Sequence, residues 1–188
     1  MAECALFTAL MVAGAFIKIP FPFMPLTFQT VISVLAGLLL GVKKGIISMS
    51  AYAILGLIGI PVFSGGGGLQ YVVMPSFGYI LGFIASAGVA GVAFKGNAKL
   101  WRVIVCSLLA FITDYIFGIA YFIAVWQLSG YEGLWHAVVV YNIVYMPKDA
   151  VLCLLAAFLS AAVAPAIRKM RRKNAVRSHK ESEGKTAE

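Results

Sequence analysis

The segment YNIVYMPKDAVLCLL, residues 141–155, gathers polar side chains within an otherwise apolar stretch. Asn142, Tyr145 and Asp149 follow one another at spacings of three and four residues, which places them on one face of a helix. Ionisable groups inside a membrane cost several kcal/mol unless they pair or line a polar cavity. This face therefore predicts a binding site for a small molecule.

Lys148 adds a cation to the same segment but is rotated by about 100° from Asp149 around a helix axis. Three roles are open to it: binding an anionic group of the ligand, pairing with another protein group, or extending outward to the membrane surface. Pro147 removes a backbone N–H and so frees a carbonyl group for a ligand or water. The segment can thus offer both hydrogen-bond acceptors and a positive charge.

A second candidate segment, IPVFSGGGGLQYVVMPSF, places four consecutive glycines between rigid and aromatic residues. Gly66 and Gly67 can reach positive φ and have no Cβ, so their backbone amides can approach a ligand closely. A merely flexible tether would not need Phe63, Gln70 and Tyr71 around its glycines. We expect the loop to fold as a lid over an outward-facing pocket. The alternative is a surface loop without a contact role.

Three weaker features of the sequence each allow two interpretations. Asp114 is either a buried structural partner or part of a cavity wall, and Gln29 either reaches the pocket or caps a loop. A stripe of small residues recurs every fourth position in the first apolar segment, and such stripes let another helix approach closely in lipid. Alanine is common in membrane helices, so the stripe is either an interface or an accident of composition. Its members are Ala5, Ala9 and Ala13.

The elements that must position these residues are apolar helices. Of the 188 residues, 62% are hydrophobic and 12% are charged, whereas about a quarter of a soluble domain is charged. The long continuous apolar runs favour helices over a barrel. They predict one all-α integral membrane domain over residues 1–167 with six transmembrane helices, at roughly 3–19, 28–41, 45–60, 77–94, 101–126 and 137–167.

Charge placement predicts the orientation of this domain. Lysine and arginine cluster between the second and third segments, between the fourth and fifth, and after residue 167, whereas Lys18 alone lies in the connections on the other side. By the positive-inside rule both termini are cytoplasmic. Residues 168–188 are expected to form a basic, disordered cytoplasmic tail. Topology accounts for the net charge of +8, so we expect no nucleic-acid partner.

Several motifs of energy-converting and catalytic proteins are absent from the sequence. No G-x-x-x-x-G-K-[ST] phosphate loop occurs, so we expect this chain to have no ATPase site of its own. No H-E-x-x-H, no His/Asp/Glu cluster suited to a metal and no activated Ser or Cys nucleophile occurs either. We therefore expect no metal, no cofactor and no enzyme activity, and a partner that supplies energy.

Three segments resemble the BioY family, the biotin-specific substrate-binding (S) components of energy-coupling-factor (ECF) transporters. They are PLTFQTVISVLAGLLLG (25–41), GLIGIPVFSGGGGLQYVVMPSFGYILGF (56–83) and MPKDAVL (146–152). The resemblance covers nearly the whole chain up to the tail. It implies the six-helix S-component fold and a multi-pass, high-affinity biotin binder in a bacterial plasma membrane.

The resemblance also implies partners. The driving force would come from one transmembrane scaffold subunit and two ATPase subunits that use ATP, while this chain captures biotin at the outer face. S components present an alanine motif to the scaffold, which assigns the interface to Ala5, Ala9 and Ala13. The missing phosphate loop agrees with this division of labour.

The chemistry of biotin suits the candidate residues. The ureido ring needs donors and acceptors, the thiophane ring needs apolar and aromatic walls, and the carboxylate needs a cation or amides. By this fit, Asp149, Gln70 and the amides of Gly66 and Gly67 are candidates for the ureido ring, and the resemblance carries over Asp149. Phe63, Tyr79 and Tyr145 are candidates for the aromatic walls.

One departure from the family pattern leaves the carboxylate partner open. The family has a lysine three positions after the aspartate, where this chain has Leu152, so Lys148 is a candidate substitute for that cation. The alternatives to biotin are an S component for another small vitamin, because fold constrains pocket chemistry weakly, and a small intramembrane enzyme.

Overall fold

A computed structural model describes the backbone of residues 1–19, 25–94 and 99–186, with side chains to residue 166 except that of Leu26. This part of the chain contains α1 (Ala2–Phe16), α2 (Gln29–Leu40), α3 (Val42–Leu57), α4 (Phe77–Gly91), α5 (Leu100–Leu128), α6 (Leu134–Tyr141) and α7 (Met146–Thr186). Short 3-10 segments cover Leu69–Val73, Val92–Phe94 and Ile143–Tyr145. Two strands, β1 (Lys18–Ile19) and β2 (Leu26–Thr27), pair antiparallel with Lys18 opposite Thr27.

Each of the six predicted apolar segments contains helix, but the last one is broken. Helix α6 ends at Tyr141, and Asn142 leaves helical geometry with φ −129° and ψ −57°. Helix α7 then begins at Met146, so Pro147 occupies its first turn, where a missing N–H leaves no hydrogen bond unmade. The interruption therefore precedes the proline and begins at Asn142.

Three described helical stretches are long and apolar enough to cross a membrane: Phe77–Phe94, Leu100–Leu128 and Leu134–Ala166. Helices α1 and α2 are apolar but have only 15 and 12 residues, against about 20 for a perpendicular span. The fold is helical with apolar spans, as the sequence predicts. Six spans and two cytoplasmic termini stay predictions.

Small residues permit the close packing around α4, which contacts α2, α3 and α5. A Cβ at Gly37 of α2 would overlap the carbonyl oxygen of Ala87 in α4. The hydroxyl groups of Ser33 and Ser86 bridge the same two helices at 2.9 Å. Close approach through small residues is the arrangement expected of helices in lipid.

Helix α7 has 41 residues and continues to Thr186. Its last part passes through the segment for which the sequence predicts a disordered tail. That segment is rich in Lys, Arg and Glu, which are good helix formers, and this composition accounts for the helical backbone. The division of the chain at residue 167 stays a prediction.

Candidate functional site

A cavity lies between the glycine-rich loop, α4, α5 and the broken helix, and tyrosine is its most frequent lining residue. Six tyrosines contribute, namely Tyr52, Tyr71, Tyr79, Tyr115, Tyr141 and Tyr145. The remaining wall residues are Pro25, Thr27, Gln29, Thr30, Ser64, Ser76, Ile80, Phe83, Lys148 and Asp149. The wall therefore combines aromatic surface with many polar tips, which suits a small ligand with both apolar and hydrogen-bonding parts.

Lys148 and Asp149 form the charged end of the cavity, in the first turn of α7. Lys148 Nζ lies 2.7 Å from Asp149 Oδ1 and donates to the Thr27 carbonyl oxygen at 2.9 Å. The ammonium group also lies 5.6 Å from the ring centroid of Phe28. Of the three roles open to Lys148, pairing within the protein is present, and its partner is the adjacent aspartate.

Two tyrosines of the wall are held by buried polar groups. Tyr115 donates to Asp149 Oδ2 at 2.7 Å, and Tyr79 donates to Asn142 Oδ1 at 2.8 Å. The two phenol rings meet edge to face, with centroids 5.5 Å apart. Asn142 and Asp149 are both buried, so the polar face predicted for this segment is turned into the protein and ends at the cavity.

A second set of hydrogen bonds fixes the opposite part of the wall. Gln29 Nε2 donates to the Tyr52 hydroxyl at 2.6 Å, and Ser76 donates to the Tyr71 hydroxyl at 3.1 Å. Two roles were open to Gln29, contact with the pocket and capping of a loop. Its place in the cavity wall is the first of these. Ser64 also lies 3.3 Å from the Tyr71 hydroxyl, and its carbonyl oxygen accepts a hydrogen bond from Lys18.

The glycine-rich loop folds back on the end of α3. The N–H of Gly68 donates to the Gly56 carbonyl oxygen at 2.7 Å, and the N–H of Gly66, at φ 123°, donates to the Phe63 carbonyl oxygen at 3.1 Å. A Cβ at Gly67 would overlap the carbonyl oxygen of Ile60. Gly67 therefore serves close packing of the loop at the end of α3, whereas Gly66 supplies a positive φ.

The structure brings four of the eight predicted ligand residues together in the cavity wall: Tyr79, Tyr145, Lys148 and Asp149. The other four lie outside this wall. Phe63 is buried against the rings of Tyr52 and Tyr71, and Gln70 is exposed and donates to the Gly67 carbonyl oxygen at 2.6 Å. Ligand contact by Phe63, Gly66, Gly67 and Gln70 stays a prediction.

Asp114 does not belong to the cavity wall. It is fully buried, and a Cβ at Gly82 of α4 would overlap its Oδ1. Thr30, which does line the cavity, is a polar neighbour of this carboxyl group. Asp114 therefore lies behind the wall as a buried group.

Sequence reasoning missed most of the tyrosine wall. The missed tyrosines lie on different elements, and nothing in their local sequence distinguishes them from membrane-interface or core aromatics. They are Tyr52, Tyr71, Tyr115 and Tyr141. The spacing of Tyr115 beside Asp114 is the one available signal, since adjacent polar residues within an apolar helix mark a polar interior.

The alanine stripe lies on the surface of the single chain. Ala5, Ala9 and Ala13 are exposed, whereas Met11 and Ala15 of the same helix are fully buried. The stripe is therefore available to another helix, and its role in binding a partner stays a prediction.

Comparison with known proteins agrees with the resemblance seen in the sequence. The family model described as the BioY family matches residues 1–169. The chain is 52% identical to a probable biotin transporter BioY of Lysinibacillus sphaericus over 87 residues, 46% of this chain and 44% of that protein. It thus spans less than half of that relative. It is 37% identical to the biotin transporter BioY of Rhodobacter capsulatus over 165 residues, 86% of this chain and 80% of that one.

The fold is also similar to a crystal structure of the S-component for biotin from an ECF-type ABC transporter. The two share 26% sequence identity and a TM-score of 0.74, over 86% of this chain and 88% of that one. Because the family model matches most of the sequence, the chain belongs to the BioY family.

Proposed function

We propose that this chain is the biotin-binding S component of an ECF-type uptake system. The likeness to the S-component for biotin, which extends over 86% of the chain, carries the proposal. The chemistry of the cavity supports it: the tyrosine faces suit the thiophane ring, and the polar tips suit the ureido ring.

Lys148 is the proposed partner of the biotin carboxylate. An ammonium group has three hydrogens to donate. In the structure Nζ donates to the Thr27 carbonyl oxygen and lies in an ion pair with Asp149, and a ligand carboxylate would accept a remaining hydrogen. Lys148 would thus replace the lysine that the family carries at the position of Leu152.

Delivery to the cell interior is proposed to depend on partners. A transmembrane scaffold subunit would bind the exposed stripe of Ala5, Ala9 and Ala13, and two ATPase subunits would hydrolyse ATP. The chain itself would act as a transport subunit and not as an enzyme, spanning a bacterial plasma membrane several times with both termini in the cytoplasm.

Ligand titration of the purified protein tests the proposal. Calorimetry with biotin, desthiobiotin, thiamine and riboflavin should show binding of the first two, which share the ureido ring and the carboxylate, and none of the last two. Binding of thiamine or riboflavin in place of biotin would assign the chain to another vitamin. Absence of binding to all four, by protein that elutes as a folded species, would contradict an S-component role.

A further inference from the structure

The hydrogen-bond partners of Asn142 determine which way its side-chain amide is oriented. It is fully buried at the break between α6 and α7. Its Nδ2 lies 3.2 Å from the Val138 carbonyl oxygen, and its Oδ1 lies 2.8 Å from the Tyr79 hydroxyl. A carbonyl oxygen can only accept a hydrogen bond, so the amide nitrogen must face Val138 and the amide oxygen must face Tyr79.

This orientation determines what Tyr79 can offer to a ligand. A phenol has one hydrogen to donate, and an amide oxygen can only accept, so Tyr79 gives its hydrogen to Asn142. Toward the cavity the Tyr79 oxygen therefore retains only acceptor lone pairs. The ring cannot turn away easily, because it lies against Gly118, where a Cβ would overlap it, and against the ring of Tyr115.

Tyr115, the neighbour of Tyr79 in the wall, also donates its hydroxyl hydrogen to a protein group. Its hydroxyl donates to Asp149 Oδ2 at 2.7 Å, and Asp149 Oδ1 lies 2.7 Å from Lys148 Nζ. The Tyr115 hydrogen is therefore also taken by a protein group, here a carboxylate of the wall itself. Two adjacent phenol oxygens present acceptors to a ligand.

We propose that Asn142 is a positioning residue for ligand selectivity: by taking the Tyr79 hydrogen, it makes the Tyr79 oxygen an acceptor for a ligand N–H. The ligand class is then rings that carry N–H donors, such as cyclic ureas. A ligand ring that has an oxygen in place of this N–H puts an acceptor against the Tyr79 oxygen, which is also an acceptor. The inference rests on the proposed function and extends it to the residue that sets its donor selectivity.

The test compares two ligands of nearly equal shape. Desthiobiotin is one, and the other is its cyclic-carbamate analogue, with one ureido N–H replaced by oxygen, prepared as both regioisomers. The wild-type protein should prefer the urea over at least one regioisomer by roughly tenfold or more, because a site built for a donor strongly rejects an analogue that lacks it.

Asn142→Leu releases the Tyr79 hydroxyl, which can then turn and donate to the ring oxygen. The urea-to-carbamate affinity ratio for that regioisomer should fall severalfold toward one, while desthiobiotin still binds. A purely structural role for Asn142 would weaken both ligands together and leave the ratio unchanged, and that result would overturn the proposal.

Two further variants keep the test decisive. Tyr79→Phe removes the acceptor but retains the Asn142–Val138 hydrogen bond, so it should lower the ratio even if Asn142→Leu fails to fold. An unchanged ratio in Tyr79→Phe also overturns the proposal. Tyr121→Phe is the matched control, since the Tyr121 hydroxyl donates to the Val72 carbonyl oxygen outside the cavity wall, and it should keep the wild-type ratio.

The outcomes separate this inference from the proposed function. If the wild-type protein binds neither biotin nor desthiobiotin, the proposed function fails and the inference fails with it. If it binds both but shows no preference for urea over carbamate, only the inference fails.

Discussion

Two lysines contact residues of the cavity wall, and their contacts differ. Lys148 lines the wall and is paired with Asp149 and with the Thr27 carbonyl oxygen. Lys18, in β1, reaches the Ser64 carbonyl oxygen from the other side of the hairpin. At the scale of single residues, Lys148 is therefore the proposed partner of a ligand carboxylate, and Lys18 is its control.

Replacement of Lys148 by methionine is expected to weaken biotin selectively. Loss of a desolvated, charge-assisted contact costs about 1.5–3 kcal/mol, which is roughly a tenfold to hundredfold rise in Kd. Biotinamide has no charge to lose, so its affinity should fall less. Calorimetric titration of Lys148→Met with both ligands measures the difference.

Lys18→Met is the control for this experiment, and it should change the affinities for acid and amide equally and only slightly. An equal loss for the two ligands in Lys148→Met would remove Lys148 from the carboxylate role. A loss confined to the acid in Lys18→Met would transfer that role to Lys18.

At the scale of elements, the glycine-rich loop acts as a folded extension of α3. It carries Ser64 and Tyr71 to the cavity wall, and it can do so because its backbone packs directly on the carbonyl groups of Gly56 and Ile60. A residue with a side chain would hold the loop away from the helix and displace both wall residues.

Gly67→Ala should therefore destabilise the protein by about 1–3 kcal/mol, the usual cost of overpacking a tight contact, and should also weaken biotin. Thermal unfolding in detergent measures the first effect. Gly65→Ala is the control, because its Cβ would lie 3.2 Å from the Tyr71 ring, away from any backbone. Equal unfolding temperatures for the two variants would show that the loop tolerates a side chain at position 67.

The apolar segments of the sequence predicted the long helices well, because burial in lipid requires long apolar runs. The segments at 77–94 and 101–126 agree closely with Phe77–Phe94 and Leu100–Leu128. The break at Asn142 was not predicted, since Pro147 is the conventional helix-breaking residue and it lies five residues later. At the break, Asn142 accepts a hydrogen bond from Tyr79 of a different helix, and such a contact leaves no local signal in the sequence.

At the scale of the whole molecule, the cavity and the alanine stripe are on different parts of the chain. None of Ala5, Ala9 and Ala13 lines the cavity, and all three are exposed. Binding of a ligand and binding of a partner subunit can therefore be altered separately.

Ala9→Trp should abolish assembly with the scaffold subunit and leave biotin affinity unchanged. A bulky ring on a stripe of small residues prevents close helix approach. Co-purification with the scaffold and calorimetry with biotin give the two readouts. Leu109→Trp, at an exposed site on α5, controls for added bulk and should assemble normally, whereas an Ala9→Trp variant that co-purifies intact would exclude the stripe as the interface.

Much of the site lay beyond prediction because it is made by contacts between distant residues. Asp149 and Lys148 were recognisable from charge within an apolar segment. The bonds that join Tyr79 to Asn142 and Tyr115 to Asp149 span 63 and 34 residues. Such pairs leave no local pattern, and they depend on how α4, α5 and the broken helix pack.

The hydrogen-bonded tyrosine wall has a consequence for kinetics. Four of its rings are already held through their hydroxyl groups, by Gln29, Ser76, Asn142 and Asp149. Ordering a mobile side chain opposes association by about 0.5–1.5 kcal/mol, and here that entropy has been lost during folding. Favourable contacts with the ligand then slow its dissociation. A long residence time would suit the proposed role of a subunit that holds its ligand until a partner binds.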